Sequence, residues 1–262
     1  MKVSIVVPFR PDGAERDRNW AYVRKRYETL YPDWEIVEGT CGEPWRKGVA
    51  VNAAVKRARG DVLIISDADV LIPAQALRDA VKRLDKAAWV VPHRMVYRLS
   101  EETTQAVLDG RLVANPKPLR GGVIRTRRGA SGGGITVTRR EGYEAVGGID
   151  ERFEGWGGED ICFAMALDTL IGPHLRLNEV MWHLYHEAMP RRDGGPNHQH
   201  GGRASEESEA LAAEYVKASG DPVAMQTLIE EQHKGMLGGG IVVAHREVIR
   251  SIPPDPLFMG WG

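Results

Sequence analysis

The chain opens with Val3 to Val7, an unbroken, largely β-branched run ended by Pro8, a pattern that suits a strand covered on both faces of a parallel sheet. After a polar loop through Asp12-Gly13, Trp20, Val23, Tyr27 and Leu30 recur at helical spacing, and Pro32 closes that helix. Residues 34–37 read as a second strand, 47–58 as an alanine-rich helix, and 61–65 as a third strand after the break at Gly60. Pro73 stands where a helix would start, with Ala76, Leu77, Ala80, Val81 and Leu84 as its buried face. Residues 89–91 make a fourth strand. This alternation predicts an α/β domain with a mostly parallel sheet and helices on both faces.

The pattern is less regular in the second half. Residues 116–134, rich in Gly, Pro and Arg, are expected to loop until a strand forms at 135–138. Residues 139–146 look helical, Gly147-Gly148 breaks that helix, and 161–171 carry another amphipathic pattern. Residues 175–186 have room for one or two strands, and 189–203, nearly devoid of apolar side chains, are expected to form a mobile surface loop. Ser205 is placed to cap a helix running through Leu211 and Val216, with Glu207 and Glu209 in its first turns. Pro222 and Gly238-Gly239-Gly240 set off the C-terminal end.

Composition narrows the function classes. A formal net charge of -1 over 262 residues gives no global attraction to nucleic acid or membrane, and leaves only local stretches such as Arg125-Thr126-Arg127-Arg128 as contact patches. The N-terminal residues are too short and too strand-like for a signal peptide, and no apolar stretch approaches membrane-spanning length, so a cytoplasmic protein is expected. Cys41 and Cys162 are too few for a disulfide framework and lack metal-ligand spacing, and read as reduced thiols.

The chemistry concentrates in three places. Asp67-Ala68-Asp69 follows a buried strand, at the carboxyl edge where open α/β sheets bind ligands, and two carboxylates so spaced can share a hard cation that neutralises a diphosphate. The plainer reading is that one acid caps the helix near Pro73 and the other is solvated. In Gly155-Trp156-Gly157-Gly158-Glu159-Asp160, the glycines admit close backbone approach to a sugar or phosphate, and Trp156 offers a flat apolar face for a pyranose. One of the paired acids there can accept a proton from an attacking hydroxyl; the plainer reading is that the two suit a helix N-terminus. Finally, His183 and His186 follow one another closely enough to supply an imidazole to a Mn2+-type ion; alternation along a strand would let only one of them reach it.

These residues resemble the GT-A fold glycosyltransferases, specifically inverting, family 2-like enzymes with a galactosyltransferase-type C-terminal signature. The resemblance runs from about Val3 to His186 and is strongest in the ordered series Gly132-Gly133-Gly134, Gly147-Gly148-Ile149-Asp150 and Gly155 to Asp160. It implies a nucleotide site from Pro8, Arg10, Arg46, Lys47, Asn52 and Asp67. It also implies a metal held by Asp69 and His186 with Asp67, His183 being the fallback. Asp160 would be the base, with Glu159, Trp156, Gly157, Gly158 and Gly133 around the acceptor and sugar. The donor implied is a nucleotide-diphosphate sugar, UDP-linked, with Mn2+ or Mg2+ as cofactor. The loop after His186 would fold over that donor.

Residues 1–204 are then the transferase domain, with a nucleotide-binding half over about 1–98 and an acceptor half over about 99–204, and 205–262 a helical appendage. The stem and membrane anchor of secretory relatives are lacking, which points to an intracellular enzyme. A glycan, a protein side chain or a hydroxymethylated DNA base would all serve as acceptor; for DNA, the candidate contacts are Arg125, Arg127, Arg128, Arg191 and Arg192. The rival classes are a nucleotidyltransferase, which would carry a Gly-rich phosphate loop where this chain has Pro8-Phe9-Arg10-Pro11, and a non-catalytic sugar-nucleotide-binding module, which has little reason to keep acids and histidines together.

Overall fold

The computed structural model describes residues 1–112, 117, 119–128, 132–155, 157–187 and 205–236. In chain order the elements are β1 (Val3–Pro8), α1 (Glu15–Leu30), β2 (Glu35–Gly39), α2 (Lys47–Arg57), β3 (Val62–Ser66), β4 (Val70–Leu71), α3 (Ala74–Arg83), β5 (Trp89–Val91), β6 (Met95–Leu99) and α4 (Glu101–Leu108). There follow β7 (Val123–Arg128), β8 (Ile135–Arg139), α5 (Arg140–Ala145), α6 (Glu159–Leu170), β9 (Leu175–Arg176), β10 (Val180–His183), α7 (Glu206–Ala218) and α8 (Pro222–Met236).

The apolar runs of β1 and β3 are continuous because both faces are covered. Ile5, Val7, Val62 and Ile64 point into one core with Trp20, Val23 and Tyr27 of α1 and Ala76, Leu77 and Ala80 of α3. Their neighbours Val6, Leu63 and Ile65 point the other way, into a second core with Val51, Ala54 and Val55 of α2 and residues of α5 and α6. Each such buried Val, Leu or Ile contributes roughly 1.5–3 kcal/mol relative to exposure.

The main sheet has six strands in the order β2-β1-β3-β8-β5-β9. It is parallel between β1 and β2, β1 and β3, and β5 and β9, while β8 runs antiparallel to both its neighbours. That reversal matters to the site, because pairing Ser66 with Ile135 sets the residues before β8 beside those after β3. A second sheet, β4-β10-β6-β7, was not expected, and β7 lies inside the stretch read as a loop. Its pairing of His183 with Val70 performs the same service from the other side.

Beyond residue 204, α7 and α8 lie against α6 and share its core through Leu211, Tyr215, Met225, Leu228 and Ile229. Tyr215 donates its hydroxyl to Asp150 Oδ2 at 3.0 Å, and Arg152 pairs with the same carboxylate at 2.7 Å. The expected Ser205 cap forms, its hydroxyl accepting from the Ser208 N–H. Among the described residues no helix is long and apolar enough to cross a membrane. Cys41 and Cys162 are free thiols.

Candidate functional site

Three backbone junctions assemble the site around Asp67-Ala68-Asp69. The Asp67 N–H donates to the Gly134 carbonyl at 2.8 Å, which ties the acids to the glycine triplet, and the Leu184 N–H donates to the Asp69 carbonyl at 2.8 Å, which ties them to the histidine segment. Gly132, at φ +77°, closes the third: a Cβ there would lie 2.1 Å from the Asp160 carbonyl oxygen, so no side chain fits between the triplet and the start of α6. Gly158 caps α6, and the Gly157 N–H donates to Glu159 Oε2 at 3.2 Å. The Gly133 carbonyl accepts from Ile135 N–H at 3.1 Å.

Lys47 opens α2. Gly48 lets that helix end sit against the turn before residue 151, since a Cβ at Gly48 would fall 2.7 Å from the Asp150 carbonyl oxygen. The Lys47 ammonium lies 2.8 and 3.0 Å from the two oxygens of Asp160, 2.7 Å from Asp67 Oδ1 and 4.0 Å from Glu159 Oε1. Burial opposes its charge, but the three carboxylates outweigh burial and hold it protonated well above the usual lysine range. Burial pushes Asp160 up to about 7, the ammonium opposing that shift and Glu159 and Asp67 adding to it. A carboxyl that titrates near neutrality is suited to moving a proton.

On the other side of the turn, His186 Nε2 lies 3.1 Å from Asp69 Oδ2 and His183 Nε2 3.7 Å from Asp69 Oδ1. The expectation that alternation would separate the two rings fails, because β10 ends at His183 and His186 lies beyond it, free of the two-residue period. Each Nδ1 is 2.8 Å from a main-chain carbonyl, of Leu184 and of Glu187, and a carbonyl only accepts. With Nδ1 donating to a carbonyl, a neutral ring carries its lone pair on Nε2, which at His183 also meets Arg98 Nη1 at 3.0 Å, while a His186 ring protonated on both nitrogens donates from Nε2 to Asp69 Oδ2.

Asp69 Oδ1 is buried and makes no hydrogen bond. A buried carboxylate with two imidazoles beside it suits a cation, and the three ligand atoms lie within 4.8 Å of one another. One carboxylate and two imidazoles fit a divalent ion that keeps positions open for further oxygens. Burial pulls His183 down to about 4. For His186, burial opposes the charge but the Asp69 hydrogen bond wins and raises it. Asp69 itself lies well below the ordinary range: burial acts against this and is outweighed by His183, His186 and Arg16.

Several expected residues sit elsewhere. Asp67 turns to Lys47, so the metal-type set is Asp69, His183 and His186 without it. Asn52, expected at the nucleotide, is buried behind the site. Its Nδ2 donates to the Ile149 carbonyl at 2.9 Å and Glu151 Oε1 at 2.8 Å, and its Oδ1 accepts from Ile149 N–H at 3.1 Å and from the Tyr143 hydroxyl. Its amide therefore pins the turn at Gly147-Gly148-Ile149-Asp150. Pro8 ends β1, Arg10 pairs with Glu43, and Arg46 lies 3.5 Å from Glu154. Trp156, the loop 189–203, Arg191 and Arg192 lie outside the described residues, and Arg125, Arg127 and Arg128 lie on β7.

Two residues had no distinguishing signal in the sequence. Arg16 Nη2 lies 3.4 Å from His186 Nδ1, and Arg98 Nη1 3.0 Å from His183 Nε2, so a guanidinium flanks each ring.

No curated protein matches the chain. Among solved structures it is similar to the catalytic domain of Drosophila beta1,4-galactosyltransferase 7 in complex with xylobiose, at 14% identity over 81% of this chain and 79% of that one, with a TM-score of 0.48. It is similar to S. aureus TarS in complex with UDP-GlcNAc at 13% identity, over 90% of this chain and 73% of that one, with a TM-score of 0.48. A Pyrobaculum calidifontis mannosyltransferase in complex with GDP-Man and Mn2+ is similar at 18% identity, over 92% and 76% of the two chains, with a TM-score of 0.42.

Residues 11–147, more than half of the chain, match glycosyl transferase family 2. The match takes in Lys47, Asp67, Asp69 and Gly132 to Gly134, and ends before Glu159, Asp160 and the histidines. With its helix-flanked six-stranded sheet and this match, the chain is a GT-A-fold glycosyltransferase belonging to glycosyl transferase family 2.

Proposed function

We propose that this enzyme is a metal-dependent inverting hexosyltransferase that moves a sugar from a nucleotide-diphosphate sugar, UDP-linked, to an acceptor hydroxyl. The observation that carries the proposal is the double reach of Asp67-Ala68-Asp69. Through Asp69 the turn meets two imidazoles, and through Asp67 and Lys47 it meets Asp160. A cation-holding set and a near-neutral carboxyl thus flank one short turn, where a leaving diphosphate and an attacking hydroxyl would meet them. The UDP-linked donor and the inverting outcome rest on the motif resemblance.

In this reading Asp69, His183 and His186 hold Mn2+ or Mg2+, which when bound supplies positive charge beside the departing diphosphate. Asp160 accepts the proton of the acceptor hydroxyl while the hydroxyl oxygen bonds to the anomeric carbon. The anomeric carbon–oxygen bond breaks in the same displacement, its electron pair leaves on the diphosphate, and the configuration inverts. Glu159, held at Oε2 by the Gly157 N–H, positions the acceptor with its other oxygen. Lys47 balances charge among the acids before the diphosphate arrives. Residues 1–204 carry this chemistry, and α7 and α8 support it by holding Asp150 below the catalytic turn.

The test is turnover of a panel of UDP- and GDP-linked sugars by the full chain with Mn2+ or Mg2+, read as free nucleotide released. Slow release from a UDP-sugar without acceptor, and faster release with a hydroxyl acceptor, is expected. No binding or turnover of any sugar nucleotide with either ion would overturn the proposal.

A further inference from the structure

Lys47 touches both halves of the site, and its position has a consequence for the base. Both oxygens of Asp160 lie within hydrogen-bond distance of the one ammonium, at 2.8 and 3.0 Å. An ammonium set between the two oxygens occupies the syn lone pairs of both, and leaves only the less basic anti pairs for an incoming hydroxyl. The ammonium cannot simply withdraw, because its side chain is only 12% exposed and an unpaired buried cation is strongly unfavourable. It can move only toward another anion. Asp67 Oδ1, already 2.7 Å away, is a fixed pivot for that movement. The anion that the proposed reaction brings to the Asp67-Ala68-Asp69 turn is the donor diphosphate. A lysine suits the exchange, being a point charge on a flexible four-carbon stem with three donors.

We propose that Lys47 is a donor-responsive latch on the base: it holds Asp160 paired in the free enzyme, passes to the diphosphate when the donor binds, and so releases Asp160 to face the acceptor. The inference rests on the reading of Asp160 as base in a sugar-nucleotide transferase. It adds an order of events. In the free enzyme the base is masked on its more basic side, productive acceptor binding follows donor binding, and Lys47 is a positioning residue for Asp160 as well as a ligand for phosphate.

The full chain is assayed as wild type, Lys47→Arg and Lys47→Met, with Mn2+ and the UDP-sugar that the wild type turns over. Arginine keeps the charge but grips a carboxylate with two parallel N–H bonds, so the latch should fail to open. The Lys47→Arg variant is expected to keep its donor KM within about threefold while kcat falls about tenfold or more. Lys47→Met is expected to raise donor KM by about tenfold or more, since the diphosphate loses a cation. If Lys47 served only as a phosphate ligand, Lys47→Arg would match the wild type in both parameters, and that result overturns the latch.

Should Lys47→Arg melt well below the wild type, the structure of the wild type with UDP and Mn2+ decides. Lys47 Nζ is expected on a diphosphate oxygen at about 3 Å and beyond about 4 Å from Asp160. Retention of the Asp160 pair with UDP bound overturns the proposal. Failure of the latch leaves wild-type turnover intact, whereas a wild type that binds no sugar nucleotide sinks the function itself.

Discussion

Asn52→Ala separates a residue that holds the donor from one that holds the fold. Asn52 is 9% exposed, and its amide makes hydrogen bonds to Ile149 N–H and carbonyl, the Tyr143 hydroxyl and Glu151. Alanine removes the acceptor shared by the Ile149 N–H and the Tyr143 hydroxyl, and Tyr143 is itself 4% exposed, so water cannot readily replace it. At about 1–3 kcal/mol for each buried donor left without a partner, the loss is about 2–6 kcal/mol. Set against the roughly 5–15 kcal/mol that holds a domain together, that is a large fraction. Urea unfolding followed by tryptophan fluorescence should show the midpoint falling with the slope unchanged. Donor KM, measured below the unfolding transition, should stay within about threefold of wild type. A stability loss under about 1 kcal/mol together with a donor KM raised tenfold or more would refute the reasoning and place Asn52 at the donor.

Two further predictions concern titration and metal. Burial raises Asp160 to about 7 against the pull of Lys47, and passage of Lys47 to the diphosphate removes that pull, so kcat/KM for the acceptor at saturating Mn2+ and donor should rise about tenfold or more between about pH 6 and about pH 8. A profile flat down to about pH 5 would show that an ordinary carboxylate or no base is involved. His183→Ala and His186→Ala should each weaken Mn2+ binding by about tenfold or more, measured by electron paramagnetic resonance of the free ion. Unchanged affinity in either variant removes that ring from the set.

The first half of the chain was legible because each strand and helix carries its own pattern. The runs at Val3 and Val62 lie between two covered faces, and Pro73 and the Ala76–Leu77–Ala80–Val81 stripe mark α3. Strand direction carries no such mark, so nothing within residues 135–139 distinguishes the antiparallel β8 from its parallel neighbours. At two residues β4 is too short for any period, and β7 lies in a Gly- and Arg-rich stretch where composition outweighs pattern. Some signals were there to be read. Ser100 caps α4 by accepting from Thr103 N–H, with Glu101 and Glu102 behind it, and Asp221 accepts from Val223 and Ala224 N–H around Pro222 at the start of α8.

For the site, residue types and order pointed to the acids, the glycines and the histidines, but partners did not follow from them. That Lys47 faces Asp160 depends on two helix starts 113 residues apart meeting on one face of the sheet. That both histidines reach Asp69 depends on where β10 stops, a boundary one residue finer than a periodic pattern can set. Arg16 and Arg98 sit on ordinary amphipathic segments, and only the packing of α1 and β6 brings them to the imidazoles.

The most direct measurement is Asp160→Asn in the full chain, with donor affinity and transfer rate determined side by side in Mn2+. The amide keeps the size and a hydrogen bond to Lys47 but accepts no proton at neutral pH. Donor binding within a few-fold of wild type, with transfer reduced by about 10²-fold or more, is the expected result. Transfer at the wild-type rate would contradict the assignment of Asp160 as the base, and with it the account of how this site moves a sugar.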